Sequence, residues 1–235
     1  MLTNRRDLFV ASLGGAAILS IPGYRHLAQD PKPGNHAVKP LPFDPTRLPG
    51  LSERLLVSHH DNNYAGAVKN LNKVEAELAG TNKDTPPFLV AGLRERELTF
   101  RNSAALHELY FGNLGGDGKV SGGISDALGA PFGSLGRFEE LFRATGMSLA
   151  GGSGWAVLAY DLHRDSLAIA SAGGHTQALA AGLPLLVLDM YEHSFHLDYG
   201  ASAAKYVDAF FANLAWQAVD ARLAAARKAA AAMRG

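Results

Sequence analysis

"LDMYEHSFHLDY", Leu188 to Tyr199, packs three acidic residues, two histidines and three aromatics into twelve positions. It continues the apolar run "LPLLVLD", Leu183 to Asp189, which has the length and composition of a buried strand. Charged and imidazole groups at the end of such a strand need partners, because burying them bare is costly. Asp189 and His193 stand four apart, a spacing that by itself fits a solvated Asp–His pair as well as a metal site. The chain has no cysteine, so a thiolate site, a catalytic thiol and a disulfide framework are all excluded. Any metal would be held by imidazole, carboxylate or backbone oxygen, a donor set that suits iron, manganese, zinc or magnesium.

Upstream, "WAVLAYD" (155–161) and "SLAIASA" (166–172) read as two strands around the turn "LHRD", with the 183–189 run as a third. The first half of the chain has helical period instead. A helix is expected from the N-cap Ser52, with Tyr64, Ala67, Val68, Leu71, Val74 and Leu78 on one face. "GTNKDTPP" breaks it, and a second helix is expected roughly from Arg94 to Leu114, giving an antiparallel hairpin. Shorter helices follow at Ser121 to Leu128 and Ser134 to Leu149, and the alanine-rich tail, Ala203 to Met233, reads as helix. The expected fold class is α+β: an N-terminal antiparallel helical hairpin (51–116), then a domain (117–235) with a small three-stranded antiparallel sheet flanked by helices.

Of the 235 residues 47% are hydrophobic and 19% charged, and 22 basic side chains balance 22 acidic ones. That balance argues against a nucleic-acid protein relying on a strong positive field. Residues 1–30 read as an export signal: Arg5 and Arg6, followed by Leu8 and Phe9 and a short apolar stretch, resemble a twin-arginine leader. A periplasmic or secreted mature protein, with no membrane in its mature form, is the corresponding expectation; a membrane anchor is the alternative. Residues 31–50 carry six prolines and read as an extended arm.

Four segments together say more than any one alone. "DMYEHSFHLDY" is similar to the D-x-W-E-H…L-D-Y signature of the iron/manganese superoxide dismutase family. "GGSGWAVL" resembles that family's G-S-G-W-x-x-L segment, and "SHHDNNYAGAVKNLN" and "SAALHELYFGNL" resemble its two histidine-bearing helices, all in the family's order. The resemblance implies disproportionation of superoxide to oxygen and hydrogen peroxide at one iron or manganese ion per subunit of a homodimer. It implies His59, His107, Asp189 and His193 as metal ligands. Periodicity alone would favour His60 over His59, because His60 lies nearer the centre of the apolar stripe. The resemblance also implies Trp155, Tyr191 and Phe111 as an aromatic shell, and Glu192 as the group that bonds the partner's His193.

The match has departures. The family's histidine four after the first ligand and its gateway tyrosine eight after it are Asn63 and Ala67 here. Tyr64 is near in sequence, but on a regular helix it points about 100° from Asn63 and needs a helix shift to replace the phenol. The tyrosine usual three after the last ligand is His196, so an Asn63–His196 pair across the dimer is expected. The family's solvent-bonding glutamine is also missing: Ser103 occupies one of its two usual places. His175 is the expected substitute, because an imidazole N–H can donate as an amide does; Gln177 is the competitor. These losses keep open a second reading, a metal-binding protein of this fold with little dismutase activity. A zinc hydrolase is a third, and would need a general base beside an open metal position.

Overall fold

The computed structural model describes residues 33–234, so the leader expected over 1–30 lies outside the described residues. The chain is α+β, as expected, with helices first and a three-stranded sheet after them. Helix α1 (Glu53–Ser58) starts at Ser52, whose hydroxyl accepts from the Leu55 amide at 3.0 Å. That is the N-cap bond the sequence predicts. A π-helical turn (His59–Tyr64) follows without a break and runs into α2 (Ala65–Ala79). Helix α3 (Pro87–Phe111) is antiparallel in the hairpin and starts seven residues before the expected Arg94. The reason is Pro87 in its first turn, where a missing N–H costs nothing. Its 25 residues span about 37 Å.

Two short helices, α4 (Gly123–Phe132) and α5 (Leu135–Ser148), lead to the sheet, and Ser134 caps α5 through the Arg137 amide. Strands β1 (Trp155–Asp161), β2 (Ser166–Ala172) and β3 (Gly182–Asp189) pair antiparallel in the order β2-β1-β3. The central strand β1 is buried throughout, and Trp155 stands directly opposite Asp189. The β1–β3 register slips between Leu158 and Ala159, beside Pro184. Proline has no N–H to give a ladder and is tolerated in sheets at edges and irregularities. At Gly154 (φ +149°) a Cβ would meet the Ala172 carbonyl at 2.3 Å, which explains the glycine before Trp155.

The tail is not the single helix expected from its alanines. It divides into α7 (Ala203–Ala212) and α8 (Trp216–Arg234), after a short α6 (His196–Tyr199). The break is imposed from a distance. Leu214 forms a bridge with Leu114, and the Ala215 amide bonds the Asn113 carbonyl at 2.7 Å. Gly116 lets the chains pass so closely, since a Cβ there would lie 2.2 Å from the Leu214 carbonyl. Among the described residues no helix is long and apolar enough to cross a membrane.

Candidate metal centre

Three chain segments deliver four donors to one point. His59 comes from the π turn, His107 from α3, and Asp189 and His193 from the end of β3 and the 3₁₀ turn Glu192–Ser194. One ligand-type atom from each lies within 4.8 Å of all the others. Asp189 Oδ2 is the hub: His59 Nε2 lies 3.1 Å from it, His193 Nε2 3.2 Å and His107 Nε2 3.6 Å. His59, His107 and Asp189 are buried, whereas the His193 side chain keeps 25% of its exposure. The site lies apart from a cavity of about 680 Å³ between α3 and the sheet, which is lined by none of the four donors. A diatomic anion needs no such volume.

Protonation states follow from burial and hydrogen bonds. His107 Nδ1 donates to the Ser103 carbonyl at 2.7 Å, so its Nε2 carries a lone pair. That nitrogen is buried without a hydrogen-bond partner. Burial, with the neighbouring His59 adding to it, pushes the His107 imidazole down to about 3. Burial likewise lowers His59, against the pull of Asp189. For Asp189 burial alone would raise the carboxyl, but the His193 and His59 hydrogen bonds overcome it and hold it well below the usual range. A lone pair facing a buried carboxylate at 3.6 Å is repulsive unless a cation stands between them. Deprotonated imidazoles around one carboxylate are what a mononuclear metal ion requires.

The surrounding aromatics form a wall. Trp155 meets His107 edge-on at 5.1 Å between centroids, Phe111 lies 5.0 Å from His59, and Tyr191 stacks on His193 at 5.4 Å and 15°. His175 stands in this wall, 6.5 Å from His107 and stacked on Tyr191 at 4.9 Å. Its Nδ1 accepts from Trp155 Nε1 at 3.0 Å, so Nε2 carries the proton. Asn102 fixes its backbone, donating to the His175 carbonyl at 2.6 Å. Gln177 turns elsewhere: it is exposed, and its Oε1 accepts from the Gly173 amide at 2.7 Å.

Tyr64 is buried, and the π turn supplies the helix shift that its position requires. Its ring lies 6.4 Å from His107, but its hydroxyl donates to Glu108 Oε1 at 2.9 Å instead of facing Asp189. His60 is half-buried and bonds the Lys39 carbonyl at 2.7 Å. Within one chain no hydrogen bond joins half-buried Asn63 to exposed His196, and Glu192 is also exposed. Several supports have no signal in the sequence. Tyr206 donates to the Asp189 carbonyl at 2.7 Å, Tyr110 packs 5.0 Å from His59, and Lys39, Asn102 and Glu108 act as described.

Fold and donor set together define an α+β protein with a candidate mononuclear metal centre of three imidazoles and one carboxylate. Residues 120–222 match the C-terminal domain model of the iron/manganese superoxide dismutases. The chain is 48% identical over 192 residues to an iron superoxide dismutase of Cupriavidus metallidurans, covering 81% of this chain and 98% of that protein. It is 35% identical over 187 residues to a manganese superoxide dismutase of Halobacterium salinarum, covering 77% and 91%. An iron superoxide dismutase of Synechocystis is 36% identical over 203 residues, covering 81% and 99%. The chain belongs to the iron/manganese superoxide dismutase family.

Proposed function

We infer that this protein is a superoxide dismutase using one iron or manganese ion per chain, held by His59, His107, Asp189 and His193. The convergence of three imidazole nitrogens on the buried Asp189 carboxylate carries this reading. When bound, the ion supplies the one-electron oxidation and reduction that turn two superoxide anions and two protons into oxygen and hydrogen peroxide. The chain's own residues do the rest. His175, neutral because burial lowers its imidazole, presents an N–H at Nε2 and can hold a proton there. Trp155, Tyr191 and Phe111 exclude bulk water around the donors. Pulse radiolysis of iron- and manganese-loaded protein tests the reading; a dismutation rate no faster than that of the free aquo-ion rejects it.

That rejection would favour a metal-binding protein with little activity. The observation on its side is Ala67 at the gateway position, with the nearest phenol, Tyr64, already bonded to Glu108. A homodimer forms part of the proposal. His193 is a quarter exposed although its donor partners are buried, and exposed Glu192, His196 and Leu197 adjoin it. A second subunit seated there would cover His193, pair it with Glu192, and bring Asn63 to His196. Export by the twin-arginine type leader to the periplasm or beyond is proposed from Arg5, Arg6 and the apolar stretch after them. Fractionation of cells carrying the wild-type leader and an Arg5→Lys, Arg6→Lys leader tests it.

A further inference from the structure

The proline-rich arm is pinned along the hairpin, and its central pin lies over the two helical donors. Upstream, the His36 amide donates to Asn72 Oδ1 at 2.8 Å and Asn72 Nδ2 returns a bond to the His36 carbonyl at 2.9 Å. His36 Nε2 and the Gly34 amide both lie 2.9 Å from Glu75 Oε2. Downstream, Phe43 packs against Gly115, where a Cβ would come within 2.9 Å of it. Between these anchors stands Lys39, all of whose polar groups are engaged. Its amide donates to the Tyr64 hydroxyl oxygen at 3.0 Å, its carbonyl accepts from His60 Nε2 at 2.7 Å, and its ammonium pairs with Glu108 Oε2. Tyr64 closes the ring by donating to Glu108 Oε1 at 2.9 Å.

Each side chain that Lys39 engages sits on a donor-bearing segment. His60 follows His59, Glu108 follows His107, and Tyr64 ends the π turn that carries His59. Phe111 fills the space between ring and donors, with centroids 5.6 Å from His60, 6.3 Å from Tyr64 and 5.0 Å from His59. A π turn has one more residue per hydrogen-bonded loop than an α-helix, and such insertions are rare unless held. Here the Ala65 amide reaches back to the His60 carbonyl, and relaxation to α geometry would rotate His59 relative to His107.

We propose that Lys39, Tyr64 and Glu108 form a positioning unit that locks the His59 turn to the His107 helix and so fixes how these two imidazoles present themselves to the metal. The inference rests on the metal-centre reading above. It gives the arm, which looks like a linker in the sequence, a role in the site. It also accounts for a buried phenol whose hydroxyl does not face the donors.

The test uses the full chain loaded with iron. Tyr64→Phe keeps the ring and removes the hydroxyl, Glu108→Ala removes both acceptors, and Glu108→Gln keeps one acceptor for Tyr64. Two quantities are read: the rate of iron release to an excess of chelator, and the iron(III) electron paramagnetic resonance spectrum. Outer partners of metal ligands typically govern affinity by about 10–100-fold. Release about tenfold faster in Tyr64→Phe and Glu108→Ala is therefore expected, with an altered rhombic splitting. Glu108→Gln should recover most of the wild-type spectrum, a rescue that loss of general stability would not produce. Release rates within about twofold of wild type and unchanged spectra in both Tyr64→Phe and Glu108→Ala overturn the positioning role and leave the metal centre standing. A wild-type chain that retains no iron or manganese overturns both.

Discussion

Replacing Trp155 by Phe isolates one bond. Trp155 is fully buried and its indole N–H donates to His175 Nδ1. Phenylalanine keeps an aromatic wall against His107 and Tyr191 but leaves Nδ1 without a donor. A hydrogen bond of this kind contributes about 1 kcal/mol net, which is roughly a fivefold bias toward the tautomer protonated at Nε2. Without it the Nδ1–H form gains about that factor, and the N–H at Nε2 is lost from the corresponding fraction of molecules. An unpaired buried acceptor also costs about 1–3 kcal/mol, a fall in Tm of roughly 2–12 °C for a chain of this size. The assay is long-range proton–nitrogen correlation on histidine-labelled, metal-free protein, which reports each ring's tautomer directly. Wild type should show His175 protonated at Nε2, and the variant a mixture. A wild-type His175 protonated at Nδ1 would refute the reasoning, because the Trp155 bond could not then exist.

His193→Ala should abolish stoichiometric metal binding while the buried core stays intact. Elemental analysis still finding one metal per chain would remove His193 from the donor set. The metal-free chain should lose stability on acidification, because His59, His107 and His175 are all held neutral in the fold by burial. Their stabilisation is complete above the unfolded value near pH 6.5 and is lost as pH falls toward the folded value, about 3 for His107. Each fully neutral imidazole contributes a slope of about 1.4 kcal/mol per pH unit in that window; urea unfolding flat between pH 7 and 5 would contradict it. Glu192→Ala should shift sedimentation toward monomer; an unchanged dimer mass would place the interface elsewhere. Ser52→Ala removes the α1 cap and should cost about 1 kcal/mol in chemical denaturation, with little effect on metal content.

The parts of this fold that local rules govern were legible in the sequence. Strand β1 was read residue for residue because alternating and continuous apolar runs are local patterns, and Ser52 was read as a cap for the same reason. What the sequence did not show was set by distant contacts. The tail helix breaks at Leu214 because Leu114 pairs with it from a hundred residues away, and alanine propensity gives no warning. Helix α3 was started late because its first two turns, with Phe88 73% exposed, lack the buried stripe that periodicity needs. At the site, regular α geometry favoured His60 and turned Tyr64 away; only the π turn, invisible to a 3.6-residue rule, buries His59 and Tyr64 together. The proline-rich arm carries no period to read, yet its His36 and Lys39 are both anchored by hydrogen bonds.

The donor set also explains why the two halves of the chain belong together. His59 and His107, held neutral by burial, face the buried Asp189 carboxylate, and a buried negative charge without a full counter-charge is costly in an apolar interior. His59 and His107 come from the hairpin; Asp189 and His193 come from the far end of the sheet. A cation at their meeting point turns a repulsive contact into the strongest link between the halves, and the binding free energy becomes folding free energy. The aromatic wall strengthens that link, because Trp155, Phe111 and Tyr191 lower the local dielectric around charge that is already paired. Ligation would therefore add directly to the folding free energy of this chain. That is why the short stretch from Leu188 to Tyr199, which ends the central core and supplies half the donors, determines both.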